Sequence, residues 1–237
     1  MGILHAAPLG QREAVERGLR LVDAGASIID VSGLSGYPDA VNVDASADAE
    51  LVRAVVSELA PSVTVAVTTG DPRVAAAGIE AGASILNDHS GDLASLATGC
   101  TYVVVHGRHG VRTTDVVGEV TEYLREQAAV ALAGGAQSIW IDPGFGFGKT
   151  TEQDLALMGN LRSFTNLGHP LLVGISNKDV LGDLVALSDK SASRAPRADR
   201  LEASLAAAVW ATTHGATVIR AHDVRATVHA LILAGAA

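Results

Sequence analysis

Short apolar runs recur along the chain, and each ends on a polar or charged residue. A Gly-Ala pair opens four of them: Gly25-Ala26-Ser27-Ile28-Ile29-Asp30, Gly82-Ala83-Ser84-Ile85-Leu86-Asn87, Gly135-Ala136 through Ser138-Ile139-Trp140-Ile141 to Asp142, and Gly215-Ala216-Thr217-Val218-Ile219-Arg220. The others are Gly2-Ile3-Leu4-His5, Val63 to Thr68, Tyr102 to His106 and Leu171 to Ser176. Segments of helical period separate most of the runs: Gln11 to Ala24, Asp48 to Leu59, Pro72 to Ala81, Asp92 to Ala97, Asp115 to Leu132, Glu152 to Leu161, Arg200 to His214 and Val224 to Leu233. In the first, Val15, Leu19 and Val22 make one apolar stripe, and Gly25 reads as its stop. Asp71-Pro72 and Thr151-Glu152-Gln153-Asp154 read as helix starts. Eight strands alternating with eight helical segments predict an α/β fold, a single (β/α)8 TIM barrel forming one domain over residues 1–237. Strand ends share a mouth in that fold, so the residues closing the runs are the candidate site. The stretch Asp189 to Asp199 has no apolar period and is expected to be a mobile loop beside the mouth.

Composition narrows the classes. With 48% apolar residues in 237, the chain can bury a full core. A formal charge of -9 and no Lys/Arg cluster argue against binding to a phosphate backbone, so no nucleic-acid partner is expected. Cys100 stands alone, which excludes an internal disulfide and any multi-cysteine metal site and fits a reducing compartment. No signal segment and no membrane-spanning run are read, so the expected location is cytoplasmic, without a membrane partner.

The most specific local signal is Ile141-Asp142-Pro143-Gly144-Phe145-Gly146-Phe147-Gly148-Lys149-Thr150. A strand ending in Asp and followed by a glycine-rich turn bends sharply and aims a carboxylate into the mouth. The glycine spacing is not that of a phosphate-cradling P-loop. Taken alone, Asp142 fits a loop-capping carboxylate as well as a ligand-binding one.

With Met1-Gly2-Ile3-Leu4, Ile28-Ile29-Asp30-Val31, Leu86-Asn87-Asp88-His89-Ser90-Gly91, Leu172-Val173-Gly174 with Ser176-Asn177-Lys178, and Arg220-Ala221-His222-Asp223-Val224, this motif resembles the dihydropteroate synthase family over nearly the whole chain. The resemblance implies a transferase of folate biosynthesis that joins a dihydropterin methyl diphosphate to p-aminobenzoate or a related nucleophile. It further implies a homodimer and no covalently bound cofactor. Asn87, Asp142, Phe147 and Lys178 would surround the pterin, Arg220 and His222 would face the diphosphate, and Lys178, Arg220 and His222 would carry the chemistry. A carboxylate and an amide suit the adjacent donors and acceptor of an aminopyrimidinone edge, and an arginine fork suits phosphate oxygens. Other readings stay open. Asn87 fits a turn, Lys178 a solvated surface, Arg220 and His222 a pairing with wall acids, and His106 a structural role. His106, His109 and His222 lack the carboxylate-flanked spacing of a metal site.

Departures from the family gather on the diphosphate side. The long first loop, whose asparagine helps hold magnesium and diphosphate, is replaced by His5-Ala6-Ala7-Pro8-Leu9-Gly10, so Mg2+ would lack its usual loop ligand. Ser35-Gly36-Tyr37-Pro38 lacks the family's second-loop arginine. Thr68 stands where the family has a pterin-touching Asp, and Asn177 where it has an arginine. Losing one such anchor slows a transfer by roughly 100- to 1000-fold, so the standard reaction is expected to be at least about 100-fold slow. The alternatives to a transferase are a non-catalytic or regulatory pterin-binding homologue and a pterin-dependent methyltransferase.

Overall fold

The computed structural model describes residues 1–7, 9–34, 44–107, 111 and 113–235. Strands β1 (Gly2–His5), β2 (Ile28–Ser32), β3 (Thr64–Thr69), β4 (Ile85–Asp88), β5 (Thr101–Val105) and β6 (Ser138–Asp142) pair in sequence order, all parallel. A second parallel pair joins β7 (Leu172–Val173) to β8 (Val218–Ile219). Parallel bridges Ile141–Leu171 and Gly2–Ala221 join the two sheets at both seams. The ring is the (β/α)8 barrel that the alternating pattern predicts.

Period-two alternation sorts the strand side chains into two environments. Outward-facing Leu4, Ile29, Val31, Val65 and Val67 pack on one half of the helical shell, against Val52, Val55, Val56, Leu59 and Val74. Leu86, Tyr102, Val104, Ile139 and Ile141 pack on the other half, against Val120, Leu124, Leu157 and Phe164. Each fully buried side chain of this size contributes about 1.5 to 3 kcal/mol, so the outer layer holds the barrel together. Inward-facing Ala66, Ile85, Val103, Val105 and Leu172, with Met1, Ile28, Trp140 and Val218 against them, form an apolar floor. Two residues further along their strands, the inward positions are Asp30, Thr68, Asn87, Asp142 and Arg220. The barrel therefore carries a polar ring on an apolar floor.

Nine α-helices lie among the described residues: α1 (Gln11–Asp23), α2 (Ala45–Leu59), α3 (Pro72–Glu80), α4 (Val116–Ala133), α5 (Thr151–Gly159), α6 (Leu161–Thr165), α7 (Asp179–Ser188), α8 (Leu201–Thr213) and α9 (Val224–Leu233). Asp71 caps α3 with Pro72 in its first turn, and Thr150 and Gln153 form a reciprocal capping box on α5. None of the helices is long and apolar enough to cross a membrane, among the described residues.

Asp92 to Ala97, read as a short helix, holds a 3₁₀ turn at Ala94–Leu96. The helices differ from expectation in two places. The helix expected over Glu152 to Leu161 breaks at Asn160 into α5 and α6. Helix α7 follows β7 where none is expected, because Gly182 in its middle weakens the helical signal. A side chain at Gly182 would stand 2.6 Å from the Arg200 Nε and 2.7 Å from the Arg194 Cγ, so this glycine admits both arginines. Those arginines also fasten the stretch expected to be mobile. Arg194 pairs with Asp179 and Asp183 at 2.6 Å each, and the Ala195 N–H donates to the Gly182 carbonyl at 3.1 Å. Buried Arg200 donates to the Ala195 and Asn177 carbonyls at 2.8 Å.

Candidate active site

The turn after β6 is shaped by contacts that leave little choice of residue. Gly144 has φ +71°, and a Cβ there would lie 2.0 Å from the His106 carbonyl oxygen. The Gly144 N–H donates to Asp142 Oδ1 at 2.8 Å. The Gly146 N–H donates to both Asp154 oxygens at 3.0 Å from the first turn of α5. Lys149 Nζ donates to the carbonyls of Gly144 (2.7 Å), His106 (3.0 Å) and Phe147 (3.3 Å). Burial pushes the Lys149 amine down to about 8, with Asp154 opposing, so it stays protonated at neutral pH and has a proton for each carbonyl. Sequence reasoning passed over both Lys149 and Asp154. Their place within and just after the glycine motif is the signal that marks them.

The turn sets Phe147 against the apolar floor, and Lys178 Nζ lies 4.4 Å from the Phe147 ring centroid. That is within cation–π range. Lys178 is therefore enclosed, not a solvated surface lysine. Burial lowers its pKa first, Arg220 lowers it further, and Asp142 opposes. Burial pushes the Asp142 carboxyl up, against the Gly144 hydrogen bond and the charges of Arg220, Lys178 and Lys149. Asp142 thus caps the turn with Oδ1, the first of the two roles the sequence left open.

Across the ring, Asn87 Nδ2 donates to Thr68 Oγ1 at 2.9 Å, and Thr68 Oγ1 donates to Asp30 Oδ1 at 2.6 Å. Arg220 Nε donates to Asp30 Oδ2 in an ion pair. Arg220 thus pairs with a wall acid, the reading left open beside a diphosphate role, because Asp30, fully buried on β2, needs a cation. Nε is the Arg220 nitrogen that Asp30 engages. Asn87 Oδ1 is buried without a hydrogen-bond partner. An unmet acceptor of this kind costs about 1 to 3 kcal/mol, which a ligand donor would recover.

Two histidines complete the mouth. His222 Nδ1 lies 3.2 Å from Ser176 Oγ, His5 Nδ1 lies 2.8 Å from Ser32 Oγ, and the two rings are 6.0 Å apart. Burial, then Arg220 and His5, pushes His222 down to about 4, so it is neutral at neutral pH. Arg197, in the stretch read as a mobile loop beside the mouth, adds positive charge that disfavours protonation of His5, His222 and Lys178. His106 packs edge-on to Tyr123 at 4.9 Å, while Tyr37 and His109 lie outside the described residues. Mg2+ prefers oxygen ligands, whereas His5 offers an imidazole held by Ser32. No group of three or more His, Cys, Asp or Glu side chains is placed to hold a metal, among the described residues. Among the described residues, the side chains do not by themselves hold Mg2+.

Asn87, Asp142, Phe147, Lys178, Arg220 and His222 therefore lie at one end of the barrel, and comparison with known proteins identifies the family that shares this fold. The model of the pterin binding enzyme family matches residues 6–222. The dihydropteroate synthase of Mycobacterium leprae is 37% identical over 242 residues, covering 94% of this chain and 84% of that protein. That of Escherichia coli K12 is 35% identical over 236 residues, covering 92% and 81%. Among solved structures, Thermus thermophilus dihydropteroate synthase in complex with 6HMPPP superposes with a TM-score of 0.85 at 36% identity, over 98% of this chain and 91% of that one. The Xanthomonas albilineans enzyme in complex with 7,8-dihydropteroate gives 0.84 at 31%, over 98% and 90%. On fold, on the residues at the mouth and on these matches, the chain belongs to the dihydropteroate synthase family of pterin-binding enzymes.

Proposed function

We propose that this chain is a transferase that joins a dihydropterin methyl diphosphate to p-aminobenzoate or a closely related amine. The observation that carries the proposal is the unmet acceptor Asn87 Oδ1, set on the same polar ring as Asp142. An aminopyrimidinone edge offers adjacent N–H donors, and Asn87 Oδ1 with Asp142 Oδ2 supplies acceptors for them. Lys178 and Phe147 bound the ring system, and the apolar floor keeps water from its far side. At the other end, Arg220 and the neutral His222 N–H hold the diphosphate. As the methylene C–O bond breaks, the electron pair leaves with the diphosphate. The amine attacks the cation-like carbon from the open side of the mouth, and the nitrogen loses a proton to solvent. Charges fixed before the reaction stabilise both the cation and the departing anion.

His5 in place of the first-loop asparagine gives weaker hold on the diphosphate, which supports a standard rate at least about 100-fold below that of an intact relative. Calorimetric titration with 6-hydroxymethylpterin tests the binding half of the proposal. Saturable binding at one site per chain is expected, and no binding at any accessible concentration refutes the reading.

A further inference from the structure

The hydrogen-bonded line from Arg220 through Asp30 and Thr68 to Asn87 has a fixed direction. A guanidinium only donates, and a carboxylate ion-paired to it only accepts. Asp30 takes the Arg220 Nε–H on Oδ2 and the Thr68 hydroxyl, at 2.6 Å, on Oδ1. A hydroxyl has one proton, and that of Thr68 is committed to Asp30. Thr68 therefore has only lone pairs to offer Asn87, whose side-chain nitrogen lies 2.9 Å away. The amide orientation of an asparagine is ordinarily ambiguous. Here the line of donors and acceptors settles it: the NH2 faces Thr68, and Oδ1 is left over. That oxygen is the buried acceptor without a partner.

We propose that Thr68 is a positioning residue that sets the polarity of Asn87, through its hydrogen bond to Asp30, and so makes the pocket select ligands with an N–H donor at that point. The inference rests on reading the mouth as a pterin pocket and adds to it a specificity device that touches no substrate. Valine has nearly the shape of threonine but no hydroxyl. In Thr68→Val the Asn87 amide loses its acceptor and is free to turn its NH2 toward the ligand, whereas Thr68→Ser keeps the line intact.

The probes are 6-hydroxymethylpterin and 6-hydroxymethyl-lumazine, in which an oxo group replaces the amino group at C2 and so exchanges a donor for an acceptor. Dissociation constants for both are measured by calorimetry on the wild-type chain, Thr68→Ser and Thr68→Val. The wild type and Thr68→Ser should prefer the pterin by at least about tenfold, and Thr68→Val should shrink that preference at least about fivefold. An unchanged preference in Thr68→Val overturns the inference, as does equal binding of the two probes by the wild type. Binding of neither probe refutes the pterin-pocket reading itself, and the inference with it. Should Thr68→Val not fold, the wild-type amide protons of Asn87 carry the test by nuclear magnetic resonance. They should keep their nuclear Overhauser contacts to the Thr68 side chain on pterin saturation because they stay on Thr68, and loss of those contacts overturns the inference.

Discussion

Replacing Asp142 with asparagine separates binding from stability. Asp142 is 6% exposed, and burial raises its pKa against every favourable contact it makes, so the ionised carboxylate is held at a cost. An isosteric neutral amide removes that cost while its Oδ1 still accepts the Gly144 N–H, now at 2.8 Å. Folding stability should therefore hold or rise slightly. Ligand binding should fall, because with Oδ1 kept by Gly144 the amide turns its NH2 toward a pterin edge that also donates. One charge-assisted hydrogen bond lost and one donor facing a donor amount to about 3 kcal/mol, or roughly 100-fold in Kd. Titration calorimetry with 6-hydroxymethylpterin, beside urea denaturation of both proteins, reads the two effects separately. A variant that binds pterin as tightly as the wild type refutes the placement of Asp142 in the pocket. A variant that loses affinity only in proportion to lost stability refutes the argument about its buried charge.

Two further outcomes follow from the same contacts. Lys149→Met removes three hydrogen bonds from an ammonium to backbone carbonyls; after allowance for relief of its burial the net loss should be about 2 to 4 kcal/mol, read as a lower urea midpoint with weakened pterin binding, and a loss below about 0.5 kcal/mol contradicts the account. His222 titrates near 4 when folded against 6.5 in an unfolded chain, so the unfolded state takes up a proton that the folded state refuses; stability present above pH 6.5 should decline by about 3 kcal/mol as pH falls toward 4, His222→Gln should flatten that slope, and an equal slope in both proteins removes His222 as its source.

Much of this site is legible in the sequence because strand chemistry is local. A run such as Ile28-Ile29-Asp30 or Ile85-Leu86-Asn87 states which residues face in, which face out, and where the strand ends. Asp142, Asn87 and Arg220, which close their runs, could thus be assigned to one mouth before any coordinates, whereas Lys178 and His222 came from the family resemblance. What the sequence withheld is pairing. Thr68 and Asp30 lie 38 residues apart, and Arg220 and Asp30 lie 190 apart; both contacts exist only because adjacent strands and the closing seam set the register. Thr68 therefore read as a lost acid, although the structure gives its hydroxyl a place between Asp30 and Asn87. Lys149 and Asp154 escaped notice for another reason: their partners are backbone carbonyls and an N–H, which leave no mark in residue identity. Helix α7 escaped because the glycine that makes room for Arg194 and Arg200 also weakens the helical signal.

The central claim is transferase activity at this mouth, and formation of dihydropteroate from the dihydropterin methyl diphosphate and p-aminobenzoate, separated by chromatography, tests it most directly. With the Escherichia coli relative assayed in parallel, this chain should form product at a rate at least about 100-fold lower, and Asp142→Asn should lower it further. Saturable binding of the pterin diphosphate with no product above the uncatalysed background would contradict the account.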